Sequence, residues 1–234
     1  MFRTMLRIGL ATASGAAAIF LLGAVLRPDA THATTLPAPT LDPAPAAGEA
    51  TAVFAGGCFW GVQAVFEHVK GVKSATSGYS GGTLRSPSYE DVSSGTTGYA
   101  ESVRVVYDPA VVSYGELLRV FFSVVHDPTQ LDRQGPDVGT QYRSAIFYLN
   151  GEQRQIALAY IAELTKANAF PRPIVTQVVP FRAFHAAEAY HQDFALRHPD
   201  NPYIAINDAP KVANLRKQFP APYREYNGTR TAAN

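Results

Sequence analysis

A short apolar run, Ala52-Val53-Phe54-Ala55, is followed by paired glycines and then by a helical repeat, and this succession fixes the first unit of the fold. The run reads as a buried strand and the glycines allow a sharp turn. Val62, Val65, Phe66 and Val69 then recur at the spacing of an amphipathic helix that starts near residue 58. The one cysteine of the chain, Cys58, stands at that start, within Gly56-Gly57-Cys58-Phe59-Trp60-Gly61. A lone thiol cannot serve as an internal disulfide staple, so it is either a small buried hydrophobe or a nucleophile. At the first turn of a helix it faces unpaired backbone N–H groups and the positive end of the helix dipole. Both favour the thiolate, which is the form expected here.

Further along, residues 72–79 and 101–107 alternate as strands, the second with Val103, Val105 and Tyr107 on one face. Tyr114, Leu117, Leu118, Phe121, Phe122 and Val125 recur at helical spacing. Residues 142–149 read as a strand closed by the turn Asn150-Gly151, residues 152–167 as a helix, 174–179 as a strand and 183–197 as a further helix. No regular βαβ succession persists, so the pattern predicts an α+β fold, a two-layer α/β sandwich of the ferredoxin-like plait type, and not a doubly wound sheet. Two long irregular segments, 80–98 and 126–140, interrupt it as functional loops. The last stretch, with prolines at 199, 202, 210, 220 and 222, predicts an extended C-terminal tail wrapped over the body.

The start of the chain is built differently. Arg3 and Arg7 precede an uncharged stretch over 8–26, Arg27-Pro28 breaks it, and Thr31-His32-Ala33 offers small residues for a peptidase. This three-part pattern predicts a secretory signal over residues 1–33, with an uncleaved membrane anchor as the alternative. Prolines at 37, 39, 43 and 45 then predict an extended, solvated linker over 34–49, which leaves 50–234 as the catalytic domain. The folded part is expected to be exported, to the periplasm. A net charge of +1, with no run of Lys and Arg, argues against a nucleic-acid partner.

The irregular segments carry the polar groups a nucleophilic thiol needs. Ser88-Tyr89-Glu90-Asp91-Val92 lies in the first, Thr97-Gly98-Tyr99-Ala100-Glu101 closes it, and Asp137-Val138-Gly139-Thr140-Gln141-Tyr142-Arg143-Ser144 closes the second. Together with Gly-Cys-Phe-Trp-Gly, these motifs resemble the A-class peptide methionine sulfoxide reductases. His126-Asp127-Pro128-Thr129-Gln130-Leu131 and Ala187-Glu188-Ala189-Tyr190-His191-Gln192 add to the resemblance, which runs in register over about residues 50–203.

The resemblance implies a reductase of the S epimer of methionine sulfoxide, free or in proteins. Cys58 is then the nucleophile and Glu101 the acid that protonates the departing oxygen, with its pKa raised by burial. Tyr89 and Tyr142 bind that oxygen, Phe59 and Trp60 form the wall that accepts the S-methyl group, and Asp137 is a positioning group. Taken alone, Glu101 reads equally as a solvated strand carboxylate and Phe59 and Trp60 as core. No metal or organic cofactor is implied. A Glu-x-x-His spacing at Glu188 and His191 occurs once, whereas di-iron sites need it twice.

Two departures from the family pattern stand out. The tail has no second cysteine, so the sulfenic acid formed on Cys58 is expected to be resolved by an external thiol, such as a thioredoxin-fold protein, acting on a monomer. Tyr99 stands where the family commonly has His, which predicts an altered pH profile. A cysteine acyl hydrolase and a non-catalytic module that binds oxidised methionine are the alternative functions.

Overall fold

The computed structural model describes residues 36–228; the expected signal segment lies outside them. Eight strands and six helices follow in the order β1 (Ala50–Gly56), α1 (Phe59–Glu67), β2 (Val72–Ser80), α2 (Tyr89–Ser93), β3 (Ala100–Tyr107), α3 (Tyr114–Val120), β4 (Arg133–Gln134), β5 (Asp137–Val138), β6 (Ser144–Tyr148), α4 (Gly151–Lys166), β7 (Gln177–Pro180), β8 (Phe184–Ala186), α5 (Phe194–Arg197) and α6 (Ala209–Gln218). Six strands form one mixed sheet in the order β7-β6-β1-β3-β2-β8, and β4 pairs with β5 in a small hairpin. All neighbours in the large sheet are antiparallel except β6 and β7.

The central strand β1 reads as a continuous apolar run because both of its faces are covered. Ala52 and Phe54 face the main core with Val103, Val105 and Ile146, under residues of α1, α3 and α4. Val53 and Ala55 face the other way with Ala100, Ala145 and Phe147, beneath Phe181 and Phe184. Phe54 stacks on Phe66 of α1 and on Phe121, at centroid distances of 5.1 and 5.0 Å. This packing holds the β1–α1 junction between two rigid elements.

Four expectations need correction. Residues 183–197 do not form one helix: β8 pairs with β2, a 3₁₀ turn spans Ala189–His191, and α5 is a single turn. Pairing with the sheet edge outweighs the local helical pattern. The tail is not simply extended, since a π turn over Ile204–Asp208 leads into α6. Pro210 sits in the first turn of α6, where a missing N–H costs nothing. The first irregular segment contains α2, closed by a capping box between Ser88 and Asp91.

The proline-rich segment before β1 is extended, but its first residues are not solvated. Leu36 is buried, Tyr160 donates a hydrogen bond to the Pro37 carbonyl at 2.8 Å, and Arg119 donates to the Leu36 carbonyl at 2.7 Å. The Asp42 carboxylate accepts from the Gly115 N–H at 2.8 Å and from the Ser113 hydroxyl, at the N-terminus of α3. Proline fixes the extended conformation here without deciding what the segment packs on. Among the described residues no helix is long and apolar enough to cross a membrane.

Candidate active site

The site forms where β1 gives way to α1. Gly57 turns the chain at φ +92°, and a Cβ there would lie 2.6 Å from Cγ of Gln134. Glycine is therefore needed both for the turn and for the close approach of the 126–140 loop. Cys58 follows as the N-cap residue of α1 and is buried, with 8% of its surface exposed.

Glu101 comes to this point from β3, paired through its strand with Tyr79 of β2. Its carboxylate accepts a hydrogen bond from the Phe59 N–H at 2.9 Å, and it lies in the field of the Cys58 thiol. The residue is only 3% exposed. Burial pushes its pKa up to about 8, with Asp137 and Asp208 acting in the same direction against the Phe59 N–H. At neutral pH this carboxyl keeps its proton.

The expected thiolate is not what the surroundings favour in the resting site. Burial raises the Cys58 pKa well above its ordinary value, and the Glu101 and Asp208 carboxyls raise it further. The backbone N–H of Trp60 acts in the expected direction but is outweighed. The physical reason is one of magnitude and occupancy. A helix terminus stabilises a charge by about 0.3–1 kcal/mol, less than the desolvation of a buried anion. The Phe59 N–H, moreover, is already taken by Glu101.

Tyr89 opens α2 and Tyr142 closes the 3₁₀ turn Thr140–Tyr142. Burial raises the pKa of both phenols, and both lie in the fields of Glu101 and Cys58; Tyr142 also senses Tyr89 and Asp137. Five residues singled out in the sequence, Cys58, Glu101, Tyr89, Tyr142 and Asp137, thus meet at one place from four different segments. Trp60 is half-buried beside them, stacked on Phe194 at 3.9 Å and met edge-on by Tyr203 at 5.9 Å. Phe59 is wholly buried, against Tyr79 and His191. It can shape an apolar wall only from behind.

Several residues of the site carried no assigned role in the sequence. The Tyr203 hydroxyl donates to the Asp137 carboxylate, and its proline-rich surroundings gave no signal for it. Glu188 accepts from the Tyr89 N–H and from the Tyr79 hydroxyl, both at 2.9 Å, which fixes the start of α2 on the sheet. His191 accepts from the Trp60 indole N–H at 3.2 Å, and its ring lies 4.5 Å from that of Tyr89. Gln192 exchanges hydrogen bonds with the Ser77 backbone, at 3.0 and 2.9 Å. The Glu188–Gln192 motif therefore positions the two aromatic walls from an irregular segment instead of lining a helix face.

One further histidine and one further tyrosine have their hydrogen bonds committed elsewhere. His126 is buried between the Phe121 carbonyl, at 3.2 Å, and the Ser144 hydroxyl, at 2.7 Å; burial lowers its pKa to about 4. Tyr99 donates to the Leu84 carbonyl at 2.6 Å and meets His185 edge-on. Its hydroxyl is thus committed to the 80–98 loop, away from the Glu101 carboxyl.

The family model for peptide methionine sulfoxide reductase matches residues 50–223. The chain is 58% identical to peptide methionine sulfoxide reductase MsrA 2 of Mesorhizobium japonicum over 185 residues, covering 79% of this chain and 95% of the relative. It is 54% identical to MsrA 2 of Synechocystis, over 79% of this chain and 88% of that one. Among solved structures, methionine sulfoxide reductase A of Corynebacterium diphtheriae superposes with a TM-score of 0.57 at 35% identity, covering 65% of this chain and 76% of that chain. The reduced form of Mxr1 from Saccharomyces cerevisiae does so with a TM-score of 0.58 at 30% identity, over 69% and 92%. A match that spans the whole of the sheet, the loops and the site shows that this chain belongs to the peptide methionine sulfoxide reductase family.

Proposed function

We infer that the protein reduces the S epimer of methionine sulfoxide in peptides and as the free amino acid. The observation that carries this reading is the buried Glu101 carboxyl, held by the Phe59 N–H at the turn that carries Cys58, where burial favours its protonated form. Cys58 sulfur attacks the sulfoxide sulfur as the thiolate, while the Glu101 proton moves to the sulfoxide oxygen. Oxygen passes from the substrate sulfur to the cysteine sulfur, methionine is released, and Cys58 is left as the sulfenic acid. Tyr89 and Tyr142, protonated and half-buried, donate to the oxygen as charge develops on it. Asp137 sets the Tyr203 hydroxyl, and Trp60, backed by Phe59, receives the methyl group, which selects one epimer.

The thiol and the carboxyl act as a coupled pair. A proton leaves Cys58 as one arrives at the oxygen, so the raised thiol pKa of the resting site is compatible with attack once substrate accepts the acid's hydrogen bond. One external thiol attacks the sulfenic sulfur, releasing water and forming a mixed disulfide; a second restores Cys58 and leaves as a disulfide. The single cysteine of the chain supports this external route, and a thioredoxin-fold donor fits it. The basic, uncharged and small-residue succession over 1–33 supports export to the periplasm. The order β6-β1-β3-β2, antiparallel throughout with α1 joining β1 to β2 across β3, supports a ferredoxin-like plait at the centre of the sheet.

Epimer-resolved reduction of a methionine sulfoxide peptide tests this reading. Wild type is expected to consume the S epimer only, Cys58→Ser neither, and one turnover without donor is expected to add a single oxygen to Cys58. Reduction of both epimers, or an acyl adduct on Cys58, overturns it.

A further inference from the structure

The C-terminal segment brings a buried ion pair to the first turn of α1. Asp208 is wholly buried, and its Oδ1 lies 3.0 Å from Nζ of Lys211, itself 7% exposed. Both groups press on Gly61, one turn beyond Cys58: a Cβ there would lie 2.1 Å from Asp208 Oδ1 and 2.8 Å from Lys211 Nζ. The other oxygen of Asp208, Oδ2, is buried with no hydrogen-bond partner among the described residues. Leaving a carboxylate oxygen unpaired in the interior is costly, so its place calls for an account beyond packing. First-turn acidic residues are absent from α1 itself, and besides Glu101 on the Phe59 N–H its first turn meets a second carboxyl, Asp208, from about 150 residues beyond Cys58 in the chain.

The groups that face Asp208 are few. Lys211 comes from α6, Cys58 from the entrance of α1, Glu101 from β3, Asp137 from β5 and Tyr203 from the segment before the π turn. His126 senses Lys211 as well. Burial raises the Asp208 pKa above its ordinary value and Lys211, by its charge and its hydrogen bond, works against that rise; an ionised Asp208 opposes a second negative charge on either Glu101 or Cys58.

We propose that Asp208 is a positioning residue for the acid step: held against Gly61 by Lys211, its fixed charge keeps the proton on Glu101 until the sulfoxide oxygen takes it. The inference rests on the assignment of Glu101 as the acid. A charge in this place has opposite effects on the two reacting groups, because it retains the acid and restrains the nucleophile. The site holds one proton shared between thiol and carboxyl in its active form, and Asp208 moves the pH window of that form upward.

The opposed effects give a test that a structural role does not mimic. Asp208→Asn is expected to alkylate at Cys58 about threefold to tenfold faster at neutral pH, and to move the alkaline limb of the kcat/KM profile down by about half a unit to one unit. The double variant Asp208→Asn, Lys211→Met removes both charges without stranding either, and is expected to show the same pair of changes if the single variant folds poorly. Alkylation no faster than wild type, or an unmoved alkaline limb, in the folded double variant overturns the proposal. Glu101→Gln is run beside them. If it retains turnover, the acid assignment itself fails; if it is inactive while the limb of Asp208→Asn stays in place, only the role of Asp208 fails.

Discussion

Glu101 shows how one residue is shared between stability and chemistry. Its pKa, raised to about 8 by burial, means that the folded protein holds a proton there that the unfolded chain releases at its ordinary value. Folding is therefore favoured below the unfolded pKa, and stability falls as pH rises from about 4.5 to about 8. Glu101→Gln carries no such charge and is expected to be more stable than wild type at pH 8 and above, by about 1 kcal/mol or more, and to lose that advantage in acid. Chemical denaturation at two pH values checks this. The same variant is expected to lose about 10²-fold or more in kcat/KM, as measured on a methionine sulfoxide peptide, because it has no proton to give. The roles of the motif residues were visible in the sequence as a pattern of matched types. The reversal at Cys58 was not, because the thiol's ionisation depends on Glu101 and Asp208, which lie 43 and 150 positions away, roughly the reach of the whole sheet and tail.

Elements place these residues by close approach of backbones. Gly61 in the first turn of α1 lets the Asp208–Lys211 pair lie flush against the helix, and any side chain there must displace it. Gly61→Ala is expected to cost about 1–3 kcal/mol, seen as a lower urea midpoint with an unchanged slope. The strand β1 and the helices α1 and α4 were legible from period and turn residues, as were β2 and β3. Elements near the end of the chain were not. Residues 183–197 have a helical distribution of apolar side chains, but Ala187 and Gln192 bind the Ser77 backbone, and the edge of the sheet takes the segment. In α6 the prolines signalled extension, while burial of Lys211 and Leu215 against the rest of the molecule selected a helix.

At the scale of the whole molecule, the segment ahead of β1 acts as a strap over α3 and α4. Thr40 donates its N–H to the Glu163 carboxylate at 3.1 Å, and Leu36 seats in the main core. None of the partners of this strap belongs to the site. Leu36→Ala is expected to lower stability by about 2 kcal/mol with kcat/KM unchanged, a separation that thermal melts and assays on one preparation will show. The sequence by itself determined the strand–turn–helix that carries Cys58, the family, and the residue types of the site, since each depends on neighbours within a few positions or on matched motifs. Only the tertiary structure decided which charges surround the sulfur, what Tyr203, Asp208 and Glu188 do, and where the proline-rich ends pack. Electrostatic fields and buried contacts act between residues far apart in the chain, and no local pattern records them.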